Sequence, residues 1–306
     1  MIWLSWRLQR TETLVALGIL GLLTAWLLPT GLDMWHAYYH DGLAGCLSTA
    51  GPGTACGGAV GLFRARFGGI DNLATWFNLV PGLIGVMLAL PLVSELENGT
   101  YRLGWTQSVT RRRWLLARLV LPIVVALLAA GGLIALFSWW RGPLGHLDGR
   151  LDNGTFDTTG VVMVGYTLFA LGLALALGAV WRRTAASVAV SFAVYIAARL
   201  MVDSKLRDHL VSAVSATWKG RPPASFENAK VLNLVATIHG HRVLSGGGFT
   251  GGGVKLQAPN LNRAVIHAVY QPESHFWPLQ FTETAMFCGV ALLLIAFAAW
   301  RVLRSD

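Results

Sequence analysis

Six stretches of this chain are each apolar for about as long as a helix needs to cross the hydrocarbon of a bilayer, about 20 residues. No other feature limits the fold as strongly. They fall at 13–29, 74–94, 115–139, 160–181, 185–202 and 284–300. Charge is scarce, 13% of residues against about 25% in an ordinary soluble domain. It is also uneven: residues 14–28 carry none, whereas Arg111, Arg112 and Arg113 stand together. The chain therefore reads as an all-α polytopic membrane protein with six transmembrane helices. Arg7 and Arg10 before the first apolar run imitate a secretory signal, but that run is of spanning length and no small-x-small cleavage pattern closes it. It is expected to remain as the first helix.

Orientation follows from lysine and arginine, because short loops rich in them stay in the cytoplasm. Placing the N-terminus inside puts Arg7, Arg10, Arg102, Arg111, Arg112, Arg113, Arg118, Arg182, Arg183, Arg301 and Arg304 on the inner side. The two shorter outer loops then hold only Arg64, Arg66, Arg141 and Arg150. Cytoplasmic N- and C-termini are expected, and the net charge of +9 is read as membrane orientation, not as a nucleic-acid footprint. Only Arg182, Arg183 and Thr184 separate the fourth and fifth segments, so these two form an antiparallel hairpin. The segment 203–283 is extracytoplasmic in this topology, and its length exempts it from the charge rule. It is expected to form a small cap, opening with a polar, helical stretch over 203–218 and containing a mobile glycine-rich turn at 246–253.

Cys46 and Cys56 lie in the first outer loop among Ser, Thr, Gly and Pro, as a local disulfide or as two free thiols. Cys288 reads as a small apolar residue within the sixth segment. Nothing suggests catalysis or a metal site. A phosphate-binding loop requires Gly-x-x-x-x-Gly-Lys-Ser/Thr between strand and helix. Gly251, Gly252, Gly253, Val254 and Lys255 have neither the spacing nor the hydroxyl. No His-Glu-x-x-His, no Gly-x-Ser-x-Gly and no paired intramembrane aspartates occur, and His239, His241, His267 and His275 are scattered along the long outer segment. Ionisable groups are scarce in the middles of the apolar segments, which argues against a proton-coupled carrier.

The loop between the second and third segments, 95–114, carries the most information. Its Leu96, Tyr101, Leu103 and Trp105 alternate with charges, as in an element lying at headgroup level. Thr110 or Ser108 is placed to cap the following helix. On charge alone the loop needs no role beyond orienting the chain. Yet Glu95-Leu-Glu-Asn-Gly-Thr-Tyr, followed by Trp105-Thr-Gln-Ser-Val-Thr-Arg-Arg-Arg-Trp114, strongly resembles the inner loop of ABC-2 type transporter permeases, particularly the actinobacterial ones. Trp6-Arg7-Leu8-Gln9-Arg10 looks like that family's opening. Tyr270-Gln271-Pro272-Glu273-Ser274-His275-Phe276-Trp277, running through Gln280 to Glu283, is similar to its approach to the last helix. The chain departs from the pattern at His275, where a basic, arginine-like residue is expected.

The resemblance implies the ABC-2 exporter permease architecture: a multi-pass protein of the plasma membrane, pairing with a second permease copy as a homodimer or related heterodimer. It implies partnership with separate ABC ATPase subunits, which bind ATP and Mg, and no cofactor in this chain. Glu95, Glu97, Gly99, Thr100, Tyr101 and Trp105 then correspond to the ATPase-coupling helix and Arg111, Arg112 and Arg113 to its exit. The glutamates would pair with basic residues of the ATPase, and Gly99 would permit close backbone approach. The expected activity is export of an amphipathic drug, peptide or lipid-like substrate, as in multidrug efflux. The alternative is a membrane-bound enzyme or sensor that uses the long outer segment, for instance through Glu227 or His239. Gly82, Gly85, Gly165, Gly172 and Gly178 would serve either a dimer seam or packing within one subunit. Pro81 and Pro91 are expected to bend the second segment.

Overall fold

The computed structural model describes residues 2–50, 56–101, 110–220, 223–226, 228–239, 241–250 and 264–304. In chain order its helices are α1 (Ile2–His40), α2 (Leu43–Ala50), α3 (Gly57–Phe77), α4 (Val80–Glu97), α5 (Arg111–Trp140), α6 (Gly142–Asp148), α7 (Asn153–Thr158), α8 (Val162–Trp181), α9 (Thr184–Met201) and α10 (Arg207–Leu210). A sheet follows, and α11 (Phe276–Leu303) closes the chain. Among the described residues six helical stretches are long and apolar enough to cross a membrane, built on α1, α4, α5, α8, α9 with α10, and α11. Six crossings bring both termini to one end of the bundle and the sheet to the other.

The bundle is organised around α8, which is apolar on every side and therefore suited to burial by other helices and not by lipid. It packs against α4, α11, α9 and α5. Glycine makes these contacts close. A Cβ at Gly85 would lie 2.3 Å from the Thr167 carbonyl oxygen, and one at Gly178 would lie 2.4 Å from the Val93 side chain. At Gly172 it would lie 3.0 Å from the Ala291 carbonyl oxygen, and at Gly165 3.1 Å from Phe287. Gly82 accommodates the Tyr195 ring. All five glycines considered for a dimer seam thus face partners within the chain. The apolar surfaces left outside include Leu17 and Leu22 of α1, Val124 and Leu128 of α5, and Leu292 and Leu293 of α11. In a bilayer such side chains lose nothing by exposure.

The limits of the helices differ from the sequence reading, α1 running on to His40 against 29 and α11 opening at Phe276 against 284. The second span begins at Val80 instead of 74, because 74–77 complete α3 and the chain turns at Asn78 and Leu79. Pro81 therefore lies in the first turn of α4, where its missing N–H costs no hydrogen bond; only Pro91 is interior. α2 and α3 are joined by a disulfide between Cys46 and Cys56, with Cα atoms 5.9 Å apart.

The larger correction concerns 203–283, because the protein is not all-α. After α9 the helix continues through a π turn (Val202–Leu206) into α10 and stops at Leu210, well short of 218. Among the described residues five strands follow: β1 (Val214–Lys219), β2 (Lys230–Ile238), β3 (His241–Gly246), β4 (Phe249–Thr250) and β5 (Val265–Gln271). They pair antiparallel in the order β1-β5-β2-β3, with β4 also on β2. The physical reason is period-two burial: Ile266, Ala268 and Tyr270 of β5 and Leu234 and Ala236 of β2 point to one side, where Phe226 packs against Trp218 and Tyr270. Half of the glycine-rich run is part of this sheet. A Cβ at Gly247 would lie 2.0 Å from the Leu232 carbonyl oxygen, and Gly248 has φ +82°, so both belong to a tight reversal that only glycine allows. The remainder of the expected mobile turn, 251–253, lies outside the described residues.

Gly85→Ala is expected to lower the thermal stability of the detergent-solubilised protein by about 1–3 kcal/mol through overpacking. Gly18→Ala, where a Cβ meets nothing within 4 Å, should change it by no more than about 1 kcal/mol. Equal melting temperatures for the two variants would refute the close α4–α8 contact.

Candidate functional site

Two polar assemblies stand out, one at each end of the bundle. The first is the corner that follows α4 at the end shared with the termini. Glu95 and Glu97 form the last turn of α4 itself, and Gly99, at φ +70°, ends the helix in the left-handed conformation. The Glu95 carboxylate pairs with Arg118 of α5, both largely buried. Glu97 Oε2 accepts from the backbone N–H of Thr184 at 2.8 Å. That N–H opens α9, so the carboxylate satisfies an orphan donor and sits where the helix dipole favours negative charge. Tyr101 is buried, with the guanidinium of Arg182 5.8 Å from its ring centroid. Arg182 itself takes a left-handed backbone, φ 51°, which turns α8 sharply into α9.

The site residues read from the sequence thus separate into three groups. Glu95, Glu97 and Tyr101 are held by α5 and by the α8–α9 turn; the two carboxylates brace the chain's own helices instead of standing free. Gly99 and Thr100 form the turn, Thr100 Oγ1 reaching the Glu95 carbonyl oxygen at 3.5 Å. Arg111, Arg112 and Arg113 line the exposed first turn of α5, whose N-cap is Thr110, although the threonine hydroxyl makes no capping bond. Trp105, like Ser108, lies outside the described residues.

The second assembly was missed by sequence reasoning. It is a buried ionic cluster at the sheet end, where α7, α8, α9, α10 and α11 converge. Arg207 Nη2 meets Asp157 Oδ1 at 2.5 Å, its Nε meets Glu283 Oε2 at 2.9 Å, and its Nη1 meets Asp203 Oδ1 at 2.5 Å. Arg199 Nη2 lies 2.8 Å from Asp157 Oδ2, and its Nη1 lies 3.4 Å from Glu283 Oε1. Tyr166 Oη donates to Glu283 Oε1 at 2.5 Å, and the Arg199 guanidinium lies 3.6 Å from the Tyr166 ring centroid. One turn before Glu283, Gln280 Nε2 donates to the Phe156 and Thr159 carbonyl oxygens and its Oε1 accepts from Val162 N. The wide π turn at 202–206 sets where Arg207 falls relative to Arg199.

Electrostatically the cluster is satisfied from within. Burial opposes ionisation of Asp157, but Arg199 and Arg207 more than offset it and hold its carboxyl below the ordinary aspartate value. The assembly reaches the sheet through Lys230, which pairs with Asp208 at 3.0 Å and donates to Asn153 Oδ1 at 3.1 Å. His275 Nδ1 lies 2.6 Å from Gln271 Oε1 and helps fix the sheet's exit strand. The sequence did hold a signal: Arg199 interrupts an apolar run and Glu283 directly precedes another. What it did not reveal is that the two meet.

A family model described as ABC-2 membrane transporter related matches residues 17–207, more than half of the chain. The chain belongs to this family. The match runs from α1 through the bracing corner to Arg207, so it takes in the bundle up to the ionic cluster, while the sheet and α11 lie beyond it. Neither a curated protein nor a solved structure matches the chain. As an ABC-2 permease, the protein is a multi-pass membrane subunit of the kind that works with ABC ATPases, and its fold is mostly helical.

Two measurements check the cluster. Arg207→Ala leaves the buried carboxylates of Asp157 and Glu283 to share Arg199 alone and is expected to cost about 3–5 kcal/mol of stability, with part of the loss recovered by adding Glu283→Gln. Asp157 binds its proton more weakly in the native state than in the unfolded chain. Its stabilising contribution is therefore complete above about pH 4 and is lost as pH falls through the lower native value. Asp157→Asn should flatten the acid limb of the stability profile; an unaltered limb would contradict the arrangement.

Proposed function

We propose that this ABC-2 permease is the membrane-spanning half of an ATP-driven exporter, moving an amphipathic drug, peptide or lipid-like compound out of the cell across the plasma membrane. One observation carries this reading: the corner at 95–101 is fastened to two spanning helices other than its own. Through Glu95 it holds Arg118 of α5, and through Glu97 it holds the first N–H of α9. A push on this corner is delivered to α4, α5 and α9 together, which is what an external motor requires.

The termini and the corner face the cytoplasm in this proposal, as the eleven inner arginines named above against four outer ones favour. Arg111, Arg112 and Arg113 lie at a helix N-terminus, where the dipole disfavours cations; anionic headgroups at the membrane surface offset that cost. Two ATPase subunits engage the corners of two permease copies, as homodimer or related heterodimer. ATP and Mg are bound by the ATPases, and this chain supplies no catalytic group. When nucleotide closes the motor domains, the corners move with them and the helices they brace rearrange toward the outward-open state.

Glu97→Ala removes the exposed brace to α9 and leaves the buried Glu95–Arg118 pair intact. It is expected to lower substrate-stimulated ATP turnover by the reconstituted complex several-fold, with unchanged insertion and melting temperature. Unchanged turnover would dismiss the coupling role, and labelling of Thr106→Cys from outside intact cells would reverse the orientation.

A further inference from the structure

Only one face of α9 is buried, and that face is polar. Ser187, Ser191, Tyr195 and Arg199 recur every fourth residue, which places them on one side of the helix. The first three are completely buried and Arg199 is 7% exposed. The opposite side carries Val190, Val194, Leu200 and Met201, all exposed. Polar groups inside a membrane bundle normally find partners on neighbouring helices. Along this seam Ser187 and Ser191 do not.

The two ends are fastened, by Glu97 at the N–H of Thr184 and by the carboxylates of Asp157 and Glu283 at Arg199. Between them, Ser187 Oγ donates only to Arg183 of its own helix, at 2.8 Å. Tyr195 Oη donates to the Asn78 carbonyl oxygen at 2.8 Å, its ring filling the space that Gly82 leaves on α4. Ser191 Oγ is wholly buried, points into the seam and has no hydrogen-bond partner among the described residues; neither does the Asn78 side-chain oxygen. A seam anchored at both ends and holding unsatisfied polar groups at its middle is poorly suited to staying permanently shut.

We propose that the seam between α9 and its neighbours α4 and α8 is the site that receives the polar head of the transported compound. This rests on the export reading above. Movement of the corner draws α9 away from α4 and α8, and the head enters along Ser187, Ser191 and Tyr195. Its apolar tail stays in the lipid beyond Val190 and Val194. Arg199, the only charge on the stripe, is already met by Asp157 and Glu283, so the ligand class is an amphiphile with an uncharged, hydrogen-bonding head.

The test uses the full permease with its ATPase in proteoliposomes, in a Cys288→Ala background, with Cys46 and Cys56 joined as a disulfide. Ser191→Cys, a nearly isosteric change, is exposed to a small membrane-permeant methanethiosulfonate at rest and during ATP turnover. Modification is expected to be several-fold faster during turnover, and to be slowed by decyl maltoside but not by decyl phosphate. A rate indifferent to turnover while ATP is consumed would overturn the seam and leave the export reading standing. Equal slowing by both amphiphiles would overturn the uncharged ligand class. A permease that neither binds nor stimulates an ATPase would defeat the export reading itself, and this proposal with it.

Discussion

Within a bilayer, a leucine against another helix is no better placed than a leucine against a lipid tail, so burial of apolar area cannot by itself assemble six helices. What remains is close approach and polar pairing. The bundle depends on the first through α8, whose backbone is reached by α4 at Gly85 and by α11 at Gly165 and Gly172, while its own Gly178 admits Val93. At such distances dispersion contacts are dense and directional, and a single methyl group is felt. With α8 fixed by α4 and α11, the helices at the margin remain freer. α9 offers little more than its polar stripe to the interior, and its outer face meets lipid.

Polar pairing then defines the two ends. At the end with the termini the contacts are few and partly exposed, a carboxylate at a helix start and an arginine beside a tyrosine ring. At the sheet end they are many and buried, with Arg207 meeting three carboxylates. Deeply buried pairs are costly to break one partner at a time, whereas exposed ones exchange readily with solvent. The two ends therefore differ in how easily they let go, and the corner yields first. α9 is the spanning helix fastened to both, at Thr184 and at Arg199.

The parts of this arrangement legible in the sequence are those that need only composition along the chain. Six apolar runs suffice for six spans, and the mixed acidic, aromatic and basic character of 95–114 marked that loop as unusual. Val80 was harder to find as a helix start because Ala74, Trp76, Phe77 and Leu79 lead into it without a charge or a glycine; Asn78 and Pro81 are the only signs of the turn. The sheet was obscured by the weight of Asp203 to Asp208, which continue a helix, and by glycines that suggested looseness where they allow a tight reversal. The ionic cluster was beyond reach, since Arg199 and Glu283 lie 84 positions apart and each alone reads as a boundary residue. Glu97 was noticed for its charge, but its contact with the N–H of Thr184, 87 positions away, could not be read from the chain.

The sheet leaves the bundle and returns to it at nearly one point. β1 and β5, the first and last strands of the excursion, pair along their whole length, and Gln271 Nε2 donates to the Val211 carbonyl oxygen at 2.7 Å, clasping exit to entry. A chain segment whose ends are pinned together in this way makes no demand on the helices it interrupts, and insertions at such points are well tolerated. Its size and surface are consequently free to diverge among otherwise similar transporters, as a handle on a vessel can be recast without altering the vessel. Variation between permeases of this build should accumulate there first, with the clasp and the Lys230 contacts as its fixed footing.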